Sequence, residues 1–214
     1  YLAPLSIDGA LGLATELPRA HSSPITALAS GWQSRRGSWA SEHGNRFVSC
    51  DQDGQVAVWS VASESVASVA ASVGAPPGGM PATCAAVRRD SLVVGRLSGM
   101  LQVYSLPSLK LRVEVASHSR WVTALDMHPS RDLVVSVAED ATLAVWQLPL
   151  SDPSGNVRHR AHPRGRSSAG KARCIFSTNW LHAMPTGVAF CGTGADCIAV
   201  TALDTEEMRM YRPI

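Results

Sequence analysis

The sequence predicts an all-β fold built from repeated sheets, and two observations support this prediction. First, two segments, Ser49–Trp59 and Ser136–Trp146, place a Ser ten residues and an Asp six residues before a closing Trp. Second, a His and a short alternating run precede each segment, at Ile25–Leu28 and Val122–Leu125. Because one such unit cannot bury its apolar face alone, the repetition predicts that similar units stack on one another.

Each segment reads as a strand, a tight turn and a second strand. The turns are Asp53–Gly54 and Asp140–Ala141, where an Asp accepts backbone N–H bonds and a Gly tolerates positive φ. A buried Trp has one N–H donor to satisfy, and a Ser hydroxyl on the neighbouring strand is a suitable acceptor. We therefore expect one structural hydrogen-bond network in each unit, formed by His21, Ser49, Asp53 and Trp59 and by His118, Ser136, Asp140 and Trp146.

Two weaker copies fill the remaining sequence. Ser91–Tyr104 ends on Tyr104 at the Trp position, but Val94 and Ser98 replace the Ser and the Asp. This unit is therefore expected to lack the polar network and to depend on packing. The last copy is Ile198–Tyr211. The closing aromatics at 59, 104, 146 and 211 are 45, 42 and 65 residues apart, so two spacings match a repeat of about 40–45 residues and the third requires an insertion.

These features resemble the WD40 repeats of β-propellers. The resemblance implies an all-β propeller with about four to five blades in this sequence, as part of a larger propeller of about seven blades. We expect a single domain over 1–214, with units at about 1–17 (partial), 18–60, 61–105, 106–148 and 172–214 and a basic inserted loop at 151–173.

A closer resemblance covers most of the chain, since the stretch His21–Trp59 fits the same family as several segments of the second half. The segments Ala116–Leu148, Gly187–Cys191 and Ala199–Arg209 are similar to the C-terminal part of the family of WD repeat-containing protein 54. That resemblance implies a non-enzymatic propeller with further blades N-terminal to Tyr1. An incomplete propeller exposes unpaired strand edges and apolar faces, which recruit further strands. The 214-residue chain is therefore not expected to be a stable monomer when it is expressed alone: we expect it to self-associate, or to stay folded only when the missing N-terminal blades are supplied in the same or another chain.

Charge is concentrated in the insertion. Residues 158–173 contain six Lys and Arg and no acid, while the whole chain has a formal charge of +2. Frequent Pro, Gly and Ser favour a solvated mobile loop, and the alternative is a contact with nucleic acid or an acidic surface. Gly165–Lys171 matches the start of a phosphate-binding loop, but Ala172 stands where a Ser or Thr is required and no apolar strand precedes it.

The sequence predicts no catalytic, cofactor or metal site. His21, Ser49 and Asp53 could suggest a triad, but the recurrence of the pattern in two units favours architecture. Cys191 and Cys197 lack a second pair at zinc spacing. The five cysteines are expected to be reduced, which places the protein in the cytoplasm, and no apolar run approaches the roughly 18 residues of a membrane span.

The expected function is that of a scaffold that binds other proteins through its loops. In WD40 repeats, the loop before each inner strand opens on the narrower face of the propeller. Arg and Trp are enriched at interface hot spots, so Arg120 and Trp121 are the first candidates for partner contact. Pro24 and Met184 lie in the corresponding loops of other units. The alternative is that Trp121 packs between neighbouring blades.

Overall fold

The computed structural model describes residues 17–30, 45–61, 67–76, 79–106, 108–150, 172–179 and 183–212. In these ranges, fifteen strands form four antiparallel sheets and no residue is helical, which confirms the all-β prediction. Across the same ranges, there is no helix long and apolar enough to cross a membrane.

Each sheet is formed by strands that are consecutive in the chain. The first sheet contains β1 (Ile25–Ser30), β2 (Asn45–Asp51), β3 (Val56–Val61) and β4 (Ala67–Val73). The second contains β5 (Ala82–Arg88), β6 (Ser91–Arg96), β7 (Met100–Ser105) and β8 (Lys110–Ala116). The third contains β9 (Val122–Met127), β10 (Leu133–Ala138), β11 (Thr142–Gln147) and β12 (Arg173–Asn179). The fourth contains β13 (Pro185–Cys191), β14 (Cys197–Ala202) and β15 (Met208–Tyr211).

The basic insertion separates β11 from β12 within the third sheet. Arg173, which the sequence assigned to the insertion, instead begins β12 and pairs with Gln147, so that boundary was wrong. The physical reason is that β11 needs a fourth strand to cover its outer edge, and the chain returns to supply it. Residues 151–171 and 1–16 lie outside the described part of the chain, so the expected mobile loop and early partial unit stay predictions.

The sheets pack face to face around their first strands. β1, β5, β9 and β13 lie side by side in that order. Apolar side chains from both partners fill each space between sheets, including Val58 and Leu92 in the first space, Val103 and Val134 in the second, and Val145 and Val200 in the third. Three apolar layers therefore lie between the four sheets, as the repeat pattern requires. A separate, smaller cluster packs Ala57 and Trp59 of the first sheet against Leu17 and Ala20 from the segment before β1.

A threonine hydroxyl links the inner edge of each of the first three sheets to the next sheet. In every case the acceptor is the backbone carbonyl of the first residue of the next inner strand. The bonds are Thr26 Oγ1 to Ala82 O (2.6 Å), Thr83 Oγ1 to Val122 O (2.5 Å) and Thr123 Oγ1 to Pro185 O (2.6 Å). A register shift in the pairing accompanies each threonine, so an irregular strand start positions the hydroxyl.

The second sheet contains a buried polar network, so the expectation that it depends on packing alone was wrong. Arg96 Nε donates to Gln102 Oε1 (2.7 Å), and Arg96 Nη2 donates to the Tyr104 hydroxyl (3.1 Å). Arg96 Nη1 donates to the backbone carbonyls of Gly54 and Met80, both at 3.0 Å. A buried guanidinium requires such acceptors because its charge is removed from water. This network stands in place of the Ser and His of the first and third sheets and also joins the second sheet to the first.

The cysteines are placed mainly as small side chains within strands. All five lie in described ranges, and none forms a disulfide. Burial raises the pKa of the Cys50 and Cys84 thiols to about 12, so both remain protonated near neutral pH. Protonated, buried thiols behave as small apolar groups.

Candidate functional site

Hydrogen bonds connect four buried side chains in the first sheet. Trp59 Nε1 donates to Ser49 Oγ (2.7 Å), whose hydroxyl lies 2.6 Å from His21 Nε2. His21 Nδ1 lies 2.8 Å from Asp51 Oδ2. Because an ionised carboxylate only accepts, Nδ1 carries the proton and Nε2 accepts from Ser49. The network ties the loop before β1 to strands β2 and β3.

The carboxylate in this network belongs to Asp51, so the assignment to Asp53 was wrong. Asp51 is fully buried, and its Oδ1 also accepts from the backbone N–H groups of Asp53 (3.1 Å) and Gln55 (2.8 Å). Asp53 is exposed and accepts a hydrogen bond from the Ser23 hydroxyl. The strand register explains why the carboxylate comes from a different position in the two sheets. Asp51 occupies the position that Ala138, which has no carboxylate, fills in the third sheet.

In the third sheet, the corresponding carboxylate is Asp140. The Ser136 hydroxyl donates to His118 Nε2 (2.8 Å), and His118 Nδ1 lies 2.7 Å from Thr142 Oγ1 and 3.3 Å from Asp140 Oδ1. Asp140 accepts from the Thr142 hydroxyl (2.5 Å) and from the Ser119 backbone N–H (2.8 Å). The Asp140 carboxylate therefore holds in place both the turn between β10 and β11 and the loop before β9.

Trp146 does not join this network, which corrects the prediction for the third sheet. Its Nε1 is buried and has no hydrogen-bond partner among the described residues. The cross-strand neighbour differs between the two sheets: Trp59 stacks on Phe47 with ring centroids 5.6 Å apart, whereas Trp146 lies opposite Val134. Without a ring to stack on, Trp146 packs into the apolar cluster between the second and third sheets.

Burial and hydrogen bonding shift two pKa values in the third-sheet network. Burial lowers the pKa of His118 below its usual value, although the Asp140 carboxylate acts in the opposite direction. Burial acts to raise the pKa of Asp140, but hydrogen bonds from Thr142 and Ser119 and the His118 charge outweigh it, so the pKa is lowered. The network is therefore held with a neutral imidazole and an ionised carboxylate at neutral pH.

A second repeated hydrogen bond organises one face of the molecule. In each sheet, a residue in the turn between the second and third strands donates its N–H to a carbonyl in the loop before the first strand. The four bonds are Gln52 N to Pro24 O (2.9 Å), Leu97 N to Pro81 O (3.0 Å), Glu139 N to Trp121 O (3.1 Å) and Leu203 N to Met184 O (2.8 Å). Loops and turns therefore form one continuous surface, which we call the turn face.

The turn face is largely apolar around the second and third sheets. Leu97, Trp121 and Met184 line a groove of about 460 Å³, and Leu97 and Trp121 are both exposed. The Trp121 side chain is therefore partly exposed at the surface and is not fully enclosed between neighbouring blades. Arg120 extends the same surface and forms an exposed ion pair with Glu139 at 3.6 Å. An exposed pair of this kind adds little stability and leaves Arg120 free to exchange partners.

The sequence pattern indicated the loop residues of the turn face but not the turn residues that face them. Pro24, Trp121 and Met184 occupy equivalent loop positions, and Pro81 is the fourth member of the set. The turn residues that face these loops, including Leu97 and Leu203, were missed. The available signal was positional, since these residues directly follow the strand that ends before each turn.

Chemistry other than binding has little support in the described residues. In these ranges, no group of three or more His, Cys, Asp or Glu side chains is placed to hold a metal ion. The Ser49 and Ser136 hydroxyls are almost fully buried, and both are engaged by the adjacent histidine. A buried hydroxyl in this position is inaccessible to a substrate.

Comparisons with known proteins agree on the fold. The crystal structure of the computationally designed Ika4 protein is similar to this chain with a TM-score of 0.64 and 20% identity, over 94% of this chain and 99% of that one. At this identity the likeness concerns the fold alone. It supports an assembly of successive antiparallel sheets, as described above.

Similar natural proteins carry WD repeats. WD repeat domain 54 of Rattus norvegicus is 26% identical over 89% of this chain and 51% of its own length. WD repeat-containing protein 54 of Mus musculus is 25% identical over the same shares, and that of Homo sapiens is 23% identical over 78% of this chain and 45% of its own. The chain thus spans about half the length of the curated relatives it matches. The WDR54 family profile matches residues 7–214, and the chain therefore belongs to the WDR54 family of WD-repeat β-propeller proteins.

Proposed function

We propose that this chain is a non-catalytic scaffold that binds another protein through the turn face. The observation that carries the proposal is the exposed apolar surface formed by Leu97, Trp121 and Met184, with Arg120 at its rim. Trp, Tyr and Arg are enriched among the side chains that dominate binding energy at protein interfaces, and contiguous exposed apolar patches mark interaction sites. Membership of a WD-repeat family supports the same function.

The burial of polar side chains supports a non-catalytic role. The histidines of both networks bond to buried serines and carboxylates whose hydrogen bonds hold loops and turns together. Their hydrogen-bonding capacity is used within the fold, so they are poorly placed to transfer protons to a ligand. The exposed side chains of the turn face are instead available to contribute binding energy.

The test is an affinity capture that compares the unchanged chain with a Leu97→Ser, Trp121→Ala double variant. Truncation of a hot-spot residue costs about 2 kcal/mol or more, which corresponds to roughly a thirtyfold loss of affinity. We expect partners to be lost from the variant and retained by Leu111→Ala. Leu111 is the matched control because it is equally exposed but lies on the outer strand β8.

The alternative function is binding of nucleic acid or an acidic surface through the basic segment 158–173. Salt separates the two proposals, since phosphate contacts weaken steeply with ionic strength and apolar contacts do not. Some partners could still bind the double variant but dissociate when the salt concentration rises from roughly 50 to 200 mM, the range in which phosphate contacts weaken. That result would contradict binding through the turn face.

A further inference from the structure

Two cysteines face each other across the β13–β14 hairpin of the fourth sheet. Cys191 ends β13, Cys197 begins β14, and the two residues are partners in the strand register. Residues directly opposite each other in an antiparallel pair point to the same face, with Cα atoms about 4.5 or 5.5 Å apart. Cysteines joined by a disulfide have Cα atoms about 4.4–6.8 Å apart. The backbone of this hairpin therefore already permits a disulfide between the two residues.

The other three cysteines, all within the described ranges, have no cysteine opposite them. Their cross-strand neighbours are Ala27 and Val56 for Cys50, Gly95 for Cys84 and Trp146 for Cys174. Cys50 and Cys84 also pack in the apolar layers between sheets, whereas the facing pair belongs to none of the described apolar clusters. Packing therefore accounts for the buried cysteines but not for the facing pair.

The facing pair lies at the tip of the hairpin, where solvent reaches it. Both side chains are partly exposed, and loop residues 192–194 are exposed. The Cys197 thiol donates a weak hydrogen bond to Asp196 Oδ1 (3.8 Å). A Cβ placed on Gly192 would lie 3.8 Å from Cys197 Sγ. The Cys197 sulfur is therefore beside the backbone that directly follows Cys191, within reach of a small reagent.

This exposure does not depend on what lies beyond the fourth sheet. Cys197 stands fourteen residues before the closing aromatic Tyr211, and Asp132 stands fourteen residues before Trp146 in the third sheet. The third sheet packs against the second sheet on one face and the fourth on the other, yet the Asp132 side chain is 37% exposed. The hairpin tip is therefore a surface position in a sheet covered on both faces as well.

We propose that Cys191 and Cys197 form an oxidation site that reacts with small-molecule disulfides of the glutathione class. The thiolate of one cysteine attacks a sulfur of the small disulfide, whose S–S bond breaks, so that a mixed disulfide forms and one small thiol leaves. The facing cysteine then attacks the protein sulfur of the mixed disulfide, which forms the cross-strand disulfide and releases the second small thiol. The two protein thiols lose two electrons and two protons, and the two departing small thiols take them up.

The exposure of the site makes this modification reversible. Exposed disulfides are reduced more readily than buried structural ones, because a small thiolate can reach a sulfur and attack it. Excess small thiol should therefore return both cysteines to the reduced form in which the structure shows them.

The test uses the folded chain carrying Cys174→Ser, incubated with oxidised glutathione, treated with iodoacetamide and mapped by mass spectrometry after trypsin digestion. Cys174→Ser leaves the facing pair as the only thiols of the tryptic peptide that follows Arg173 and ends at Arg209. We expect that peptide to lose two hydrogen atoms and to carry neither glutathione nor iodoacetamide. The facing thiol has an effective concentration on the order of mM or more, so the internal disulfide should exceed glutathione adducts about tenfold at about 0.1 mM glutathione.

Two controls separate a facing pair from two independent thiols. In the unchanged chain, Cys174 is exposed without a facing cysteine, so it should retain glutathione as a mixed disulfide. Cys191→Ser or Cys197→Ser should leave the remaining partner in the same mixed disulfide. Glutathione on both cysteines of the pair, or alkylation of both under conditions that modify Cys174, would overturn the proposal.

A parallel reaction in urea tests whether the hairpin is responsible. The ratio of internal to mixed disulfide should fall when the chain is unfolded, because the two thiols are then no longer held opposite each other. An unchanged ratio would assign the disulfide to proximity in sequence and would contradict a site formed by the fold.

Discussion

At the residue scale, equivalent positions make different hydrogen bonds because their neighbours differ. The network carboxylate is Asp51 in the first sheet and Asp140 in the third, although an Asp occupies the same turn position in both. Asp51 bonds to the histidine because its buried carboxylate lies 2.8 Å from His21 Nδ1, whereas Asp53 is exposed. A repeat pattern therefore identifies the participating residue types more reliably than the pairs they form.

Asp140→Ala should lower the free energy of unfolding by about 1–3 kcal/mol, because it removes several hydrogen bonds to a charged acceptor. The donors are the Thr142 hydroxyl and backbone N–H and the Ser119 backbone N–H. Urea denaturation provides the measurement. Ser98→Ala, in an exposed turn of the second sheet, is the control and should be nearly silent. Equal effects of the two substitutions would be inconsistent with the network.

Mild acid should destabilise the fold through His118, whose pKa is lowered by burial. A folded-state pKa below the unfolded value of 6.5 means that the unfolded chain binds more protons as pH falls. The contribution of His118 to stability is therefore complete above pH 6.5 and is lost below it, by up to about 1.4 kcal/mol at pH 5.5. Asp140, whose pKa is also lowered, adds a further loss only below its own usual value of 3.8.

Urea denaturation at pH 7.5 and 5.5 measures the His118 effect. His118→Gln should reduce the difference in unfolding free energy between the two pH values, since its side chain does not titrate. A variant with an undiminished pH dependence would assign the effect to another histidine.

At the element scale, tight turns determine how closely neighbouring sheets approach. Gly54 was predicted to supply positive φ, and it does so with φ of 92°. Gly54 also contacts Met80 and lies near Arg96, which the sequence pattern could not show. Gly99 has the same role in the second sheet, against the loop before β9. Glycine is therefore required at both positions for two reasons. The φ angle is positive, and the next sheet lies too close to leave room for a Cβ.

Gly99→Ala should destabilise the protein by about 3 kcal/mol or more, because strain at positive φ is combined with a clash. A Cβ at Gly99 would meet the His118 carbonyl and would lie 2.7 Å from the Arg120 carbonyl. Gly79 is the matched control, since its φ is 61° and no atom lies within 4 Å of its added Cβ. Gly79→Ala should therefore cost only about 1 kcal/mol.

Thermal unfolding measures the loss of stability in Gly99→Ala, and affinity capture measures its loss of partner binding. The substitution should also weaken binding through the turn face, since the displaced loop carries Trp121. Equal destabilisation by both alanine substitutions would mean that φ alone requires the glycine.

At the scale of the whole molecule, stability depends on junctions between similar sheets. The same threonine bond, the same apolar layer and the same turn-to-loop bond recur along the chain. Nearest-neighbour contacts of this kind make the total stability approximately a sum of unit and junction contributions.

Thr83→Val and Thr123→Val should each lower stability by about 1 kcal/mol, because each removes one hydrogen bond between sheets. Their bonds lie in different junctions, so the double variant should show additive losses. Thr186→Val serves as the control in urea denaturation, because Thr186 is exposed and its replacement should be nearly neutral. A loss of stability from Thr186→Val as large as that from Thr83→Val would contradict the role of the bonds between sheets.

Much of the fold was predictable because the repeat recurs within one chain. The spacing of Trp59 and Trp146 indicated strands of the correct type and approximate position, and the loops of Pro24, Trp121 and Met184 followed from the same alignment. The network of Arg96 was not predictable, because an Arg before a turn usually points to solvent. Its burial depends on carbonyls contributed by the first sheet.

The amino-acid sequence alone established the all-β class, the repeated unit and the absence of an evident catalytic motif. Those conclusions depend on local periodicity and spacing, which are properties of a single segment. The choice of Asp51 over Asp53, the exclusion of Trp146 from its network and the grouping of Leu97 with Trp121 emerged from the folded arrangement. Each depends on side chains from segments distant in the chain, and only packing between strands and sheets brings them into contact.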